Sequence, residues 1–103
     1  MRAANSERWL LGASAGYDIF VLHSAYHPSR PAVNDFNAND NKLTLVNKTA
    51  SPSVFSINGA QTAVNIDPFV NDERSLWLRL DTPLASSTSN YQYITVTITA
   101  VEP

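Results

Sequence analysis

The feature that most constrains the fold of this chain is a run of six β-branched residues, Ile94 to Thr99, inside the segment YQYITVTITAV. Such side chains have few χ1 rotamers and disfavour a helix, but they pack well on a pleated strand. Every second residue of the run is aliphatic, as expected of a strand with one apolar face. Burying one isoleucine side chain contributes roughly 1.5–3 kcal/mol. The segment therefore predicts a strand, Tyr91 to Val101, whose Ile94, Val96, Ile98 and Ala100 lie under a second layer.

Period-two alternation and turn residues predict six further strands. These are Arg8 to Ala13, Asp18 to Tyr26, Lys42 to Asn47, Ser53 to Ile57, Ala60 to Ile66 and Ser75 to Asp81. The second of them is apolar on both faces at its start, which is typical of a central strand. In the last of them, Leu76, Leu78 and Leu80 are expected to point inward. Asn58-Gly59 favours the two positive φ angles of a type I′ hairpin turn.

About seven strands with long polar connections, and no helical periodicity, indicate an all-β fold. We expect an antiparallel β-sandwich of immunoglobulin-like or jelly-roll-like type. A chain of 103 residues has room for one domain. The sequence thus predicts one domain over residues 1–103, with residues 1–7 as an N-terminal arm.

Composition excludes several classes of function. The net charge is −2 and the seven basic residues are scattered, so no nucleic-acid partner is expected. The chain has no cysteine, which excludes disulfides and thiolate metal sites. No apolar run is long enough for a secretory signal or a membrane span. We therefore expect no membrane insertion. We also expect either that the protein is made and used without export, or that this chain is a mature or truncated form.

An Asx-rich loop contains the one pattern that suggests a metal. Asp35, Asn37 and Asn39 match the first three ligand positions of an EF-hand calcium loop. Asp40 then replaces the required glycine, and Val46 stands where the bidentate glutamate belongs. The alternative is a loop of Asx turns, in which these side chains bond their own backbone.

No catalytic constellation accompanies these residues. His23 and His27 are four residues apart, but no further ligand set surrounds them, so His23 is expected to be a strand residue. No serine lies in a nucleophile-elbow pattern. We expect a protein that is not an enzyme and that needs no cofactor.

Trp77, Tyr91 and Tyr93 would share one outward face if the last two strands pair. Such aromatic residues either stack on sugar rings or fill a contact between sheets or between subunits. A contact is favoured over a sugar site, because a carbohydrate site also requires a convergent set of polar groups that the sequence does not show.

Two segments, Glu73 to Pro83 and Ile94 to Ala100, together resemble the closing part of β-sandwich domains in uncharacterised bacterial surface proteins. The resemblance extends more faintly to Gln61 to Ile66 and to Asp18 to Asp40. It implies an extracellular or cell-surface location.

The sequence thus predicts a non-enzymatic structural subunit that self-assembles into an extracellular filament or surface layer, with copies of itself as partners. Arg2 to Ala13 or Tyr93 to Val101 would complete the sheet of a neighbour by strand exchange. The candidate assembly residues are Trp9, Leu11, Trp77, Tyr91, Tyr93, Ile94, Val96 and Ile98. Two alternatives are a virion capsid or decoration protein and a carbohydrate-binding module that takes a glycan.

Overall fold

The fold is essentially all-β, as the sequence predicts, and is described from a computed structural model for residues 1–67 and 69–101. Its strands are β1 (Arg2–Ala3), β2 (Leu10–Leu11), β3 (Ile19–Tyr26), β4 (Leu76–Asp81) and β5 (Val96–Thr97). One short 3-10 helix, Val33–Asp35, lies between β3 and β4. The strands form two open sheets, of order β1-β5 and β2-β3-β4.

The centre of the larger sheet is β3, which confirms the predicted central strand. It pairs in parallel with β2, where Leu10 lies opposite Ile19, and antiparallel with β4, where Leu22 lies opposite Leu80. All six residues from Phe20 to Ala25 are buried. Burial on both faces explains why this segment is apolar at successive positions rather than at alternate ones.

One face of β3 belongs to the first hydrophobic cluster, which both sheets help to build. Phe20 and Leu22 of β3 pack there with Ala3 of β1, and Val96 of β5 packs against them. Met1, Leu43 and Phe55 complete the buried set. The predicted arm, residues 1–7, therefore contributes a strand and two buried side chains to this layer.

The opposite face of β3 is covered by the loop that follows it. Ala25 packs with Phe36 of that loop and with Ile57, and Trp77 of β4 packs against this second cluster. The indole Nε1 of Trp77 donates a hydrogen bond to the His27 carbonyl at 3.0 Å. The sheet is thus covered by a different segment on each face.

Three predicted strands are absent from the described residues. The first, Lys42 to Asn47, keeps only one rung, in which Lys42 lies opposite His23. The prediction fails beyond that rung because the Thr44 carbonyl accepts from the Ala3 amide, and the Thr44 hydroxyl bonds both the amide and the carbonyl of Val46. These bonds turn the chain away from β3, and Leu45 is exposed.

The other two absent strands are the arms of the predicted hairpin, Ser53 to Ile57 and Ala60 to Ile66. They do not pair with each other, although the turn between them is confirmed. Asn58 and Gly59 have φ angles of 54° and 69°, and the Ala60 amide donates to the Ile57 carbonyl at 3.1 Å. Phe55 and Asn65 also have positive φ, of 63° and 55°. A left-handed residue within each arm interrupts the extended backbone that a ladder requires.

The predicted last strand is shortened to Val96–Thr97. Its partner β1 has only two residues, and the register places Arg2 opposite Thr97 and Ala3 opposite Val96. A strand cannot extend as a ladder beyond the partner that pairs with it. The predicted burial of its apolar face holds for Ile94 and Val96, whereas Ile98 and Ala100 are exposed.

The structure contains five strands in its described ranges, not about seven, and its sheets remain open. Within those ranges, no helix is both long and apolar enough to cross a membrane. The domain predicted over residues 1–103 includes Pro68, Glu102 and Pro103, which lie outside the description.

Candidate assembly surface

Strand β4 forms one edge of the larger sheet. Its sequence, LWLRLD, alternates leucine with other residues, which gives two distinct faces. All six of its residues pair with β3, from Leu76 opposite Tyr26 to Asp81 opposite Val21. An edge strand of this length offers a row of backbone groups to any further strand.

The hydrogen bonds of β3 show which residues of β4 have their amides and carbonyls on the outer side of the sheet. The even-numbered residues of β3 bond away from β4: the Phe20 carbonyl accepts from Gly12, and the Ser24 amide donates to Asn41. Its odd-numbered residues therefore bond to β4, opposite the odd-numbered residues of β4. The amides and carbonyls of Leu76, Leu78 and Leu80 must then point outward.

No partner meets this outer edge within the described part of the chain. Neither the backbone bonds nor the side-chain bonds of residues 1–67 and 69–101 reach the amides or carbonyls of those three leucines on that side. Unpaired ladder groups bond to water in a monomer and to a neighbouring strand in an assembly.

The leucines of β4 are also left uncovered by the first cluster. Leu80 lies opposite Leu22 on the same face of the sheet, yet Leu22 is 3% exposed and Leu80 is 44% exposed. Leu78 is 51% exposed, whereas Leu76 packs against the cluster. The layer formed by Met1, Ala3 and Val96 thus packs over β3 but does not extend over Leu78 and Leu80 at the sheet edge. The predicted inward burial of Leu78 and Leu80 is wrong for this reason.

The other face of β4 carries an ion pair. Arg79 Nε lies 2.9 Å from an Asp81 carboxylate oxygen, and the Arg79 guanidinium also donates to the Val33 carbonyl at 2.9 Å. Both side chains are partly exposed, so the pair contributes little to stability by itself. It does place one positive and one negative group, two residues apart, along the free edge.

His23 lies behind this ion pair, opposite Arg79 in the ladder. The imidazole is buried against Phe36, and its Nδ1 atom has no hydrogen-bond partner among the described residues. Burial lowers the pKa of His23, and the nearby positive charges of Arg79, Lys42 and Lys48 lower it further, against the opposing charge of Asp81. His23 is thus a neutral core residue at neutral pH.

A second uncovered apolar region is an open groove of about 400 Å³. Its walls come from three segments, residues 47–50, 63–66 and 98–101, with Tyr26 and Phe55 also lining it. Ile66, Ile98 and Val101 on these walls are exposed. One wall of the groove, residues 98–101, follows β5 and forms no strand in the described part of the chain.

The chain exposes more surface than a compact monomer of its mass. Its accessible surface is 6783 Å², whereas about 5,700 Å² is expected for 11.3 kDa. The excess of roughly 1,000 Å² is comparable to the ~800 Å² that one partner buries in a standard protein interface. The radius of gyration, 14.6 Å, also exceeds the value of about 13 Å for a compact chain of this length.

Half of the predicted assembly residues belong to the first cluster instead of the free surface. Trp9, Leu11, Ile94 and Val96 are partly buried and pack against that cluster. The Trp9 indole Nε1 also donates to the Ser86 hydroxyl at 3.0 Å. These four side chains help to hold the two layers of the fold together.

The three predicted aromatic residues do not share one sheet face. The last strand pairs with β1 and not with β4, so the condition for a common platform is not met. Trp77 packs in the second cluster, while Tyr91 and Tyr93 are 90% and 81% exposed. Between them, the Gln92 side chain accepts from the Arg8 amide at 3.0 Å. Ile98, the remaining predicted residue, lines the groove.

Two residues of the calcium pattern accept hydrogen bonds from nearby backbone amides. A carboxylate oxygen of Asp35 accepts from the Ala32 amide at 2.9 Å, and Asn37 Oδ1 accepts from the Asn39 and Asp40 amides at 3.0 and 2.6 Å. The bonds of Asn37 are those of the Asx-turn alternative. In residues 1–67 and 69–101, no three His, Cys, Asp or Glu side chains come together as a metal site would require.

Leu78 and Leu80 are the surface residues that the sequence analysis missed. Alternating leucines indicate which side chains share a face. They do not indicate how far the opposite layer extends over that face.

Comparison of the chain with protein-family models, curated proteins and solved structures finds no match.

Proposed function

We propose that this chain is a non-enzymatic structural subunit that assembles with copies of itself into an extracellular filament or surface layer. The observation that supports this most is the outer edge of β4. Its backbone groups have no partner among residues 1–67 and 69–101, and they lie beside the exposed Leu78 and Leu80. An edge of this kind favours addition of a further strand from another chain.

Two further observations support assembly, the second of them beyond a pair. The excess accessible surface is comparable to the area that one partner contributes to one standard interface. A filament or layer also needs at least two contact surfaces on each subunit, because a single self-complementary contact closes as a dimer. The groove beside residues 98–101 offers the second surface to a neighbouring copy.

We also propose that the two sheets form an immunoglobulin-like or jelly-roll-like β-sandwich. Both sheets contribute side chains to the first cluster, in the manner of two sandwich layers. Strands added by neighbours would bring the five strands of the subunit closer to the seven of an immunoglobulin-like sandwich.

The extracellular location is proposed from the low fraction of charged residues in the chain. Charged residues make up 16% of the chain, against about 25% in an average soluble protein. Labelling of intact source cells with an antibody against the chain tests the location, and signal only after lysis would contradict it.

Sedimentation velocity and negative-stain electron microscopy test assembly directly. We expect species larger than a dimer as the protein concentration rises, with filaments or two-dimensional arrays in the images. A single monomeric boundary from low to high micromolar concentration, with no ordered particles, would refute the proposal. Closed shells of cubic symmetry would favour a virion protein instead.

A further inference from the structure

We propose that β4 pairs antiparallel with β4 of a second copy, with Leu80 on the two-fold axis. This inference rests on the proposed function, since it names one contact of the assembly. The pairing would join two three-stranded sheets into one continuous sheet of six strands. The backbone groups and the side chains of β4 together favour one register of this pairing.

The outward backbone groups limit the possible registers. Leu76, Leu78 and Leu80 carry the outward amides and carbonyls, so these residues must occupy hydrogen-bonded positions in the new ladder. Four two-fold registers meet this condition with the axis at an inner residue of the strand. Their axes pass through Trp77, Leu78, Arg79 or Leu80.

The charges of β4 distinguish these registers. With the axis at Arg79, two arginines lie directly opposite each other, which is destabilising. With the axis at Trp77 or Leu78, Arg79 lies opposite Ser75 or Trp77 and gains no counter-charge. With the axis at Leu80, Arg79 of each copy lies opposite Asp81 of the other, so two ion pairs form.

Local geometry agrees with the Leu80 register. Arg79 and Asp81 would occupy non-hydrogen-bonded positions, where Cα atoms are only about 4.5 Å apart and side chains approach most closely. Within β4 the new ladder would span residues 79–81, and Trp77 would lie opposite Pro83 at a position that needs no amide donor. The ladder would end there, because the Leu84 amide donates to the Gly16 carbonyl. Pairing would also bring Leu80 of the two copies together and cover part of the uncovered leucine face.

A cysteine scan determines the register, because the chain has no native cysteine. The test uses Leu80→Cys, Arg79→Cys and Leu78→Cys in the full chain, with Leu84→Cys as an exposed control outside β4. In the proposed register, the Cα atoms of residue 80 are about 5.5 Å apart, within disulfide range. The Cα atoms of residue 78 are roughly 14 Å apart, which excludes a bridge.

With diamide as the oxidant, we expect Leu80→Cys to form a disulfide dimer at least tenfold faster than the control. Fastest cross-linking of Leu78→Cys or Arg79→Cys would overturn the register while leaving self-assembly intact. Assembly of the wild-type protein with no variant above the control would show that another surface makes the contact. A monomeric wild type together with no cross-linking would refute the proposed function itself.

Charge reversal gives an independent test. Arg79→Asp places like charges opposite each other in a homodimer, and so does Asp81→Arg. A mixture of the two variants restores both ion pairs in the heterodimer. We expect each variant alone to dimerise at least tenfold more weakly than wild type, and the mixture to recover wild-type dimerisation. Circular dichroism confirms that each variant is folded, and unchanged homodimers would overturn the pairing.

Discussion

Replacing the two leucines of one ladder rung with alanine should have unequal effects on stability. Leu22 and Leu80 lie opposite each other on the same face, and they differ mainly in burial, at 3% and 44% exposed. Leu22→Ala opens a cavity in the first cluster, which destabilises by about 3–4 kcal/mol. Leu80→Ala removes three carbons that are about half exposed, which corresponds to about 1 kcal/mol at 0.8 kcal/mol per buried methylene.

Urea unfolding followed by tryptophan fluorescence measures both effects, since Trp9 and Trp77 each pack against a cluster. The measurement belongs at a concentration at which the wild type sediments as a monomer, so that assembly does not contribute. We expect a large decrease in the midpoint for Leu22→Ala and a small one for Leu80→Ala, with unchanged slopes. Equal decreases would refute the conclusion that the cover stops short of the sheet edge.

Three further predictions concern single sites. Burial lowers the pKa of His23 from 6.5, so on acidification the unfolded chain binds a proton at a higher pH than the folded chain does. The free energy of unfolding should therefore fall as the pH drops below about 6.5. His23→Gln should remove this dependence in acid titrations followed by fluorescence. Hydrogen bonds from Ser87 lower the pKa of Asp18 from 3.8, so the ionised carboxylate stabilises the fold above that pH. This stabilisation is lost as the pH falls through the lowered pKa. Asp18→Asn should reduce the loss of stability in this acidic range, and an unchanged loss would contradict the assignment. Gly59→Ala should cost about 1 kcal/mol through its positive φ alone, since an added Cβ meets no atom within 4 Å, while Gly16→Ala should be nearly neutral in the same thermal melts.

Local pattern was sufficient for the elements that depend only on nearby residues. The strand at Leu76–Asp81 follows from alternation, and the strand at Ile19–Tyr26 follows from an apolar start on both faces. The turn at Asn58-Gly59 follows from its need for two positive φ angles. The all-β class follows from the same signals, because β-branched and alternating segments disfavour helices wherever they occur.

The candidate surface could not be located in this way. Leu22 and Leu80 have the same chemistry and lie on one face, and only the extent of the opposite layer makes one of them core and the other surface. That extent depends on how Met1 and Ala3 pack across the sheet, which is a contact between distant parts of the chain.

The β-branched run near the end of the chain shows the same division. Its residues determine that Ile94 to Thr99 favours an extended backbone and has one apolar face. Tertiary structure decides that only Val96–Thr97 form a ladder, because the available partner is the two-residue strand Arg2–Ala3. Side-chain shape acts locally and can be predicted from the sequence, whereas strand pairing requires a partner that only the folded chain brings into place.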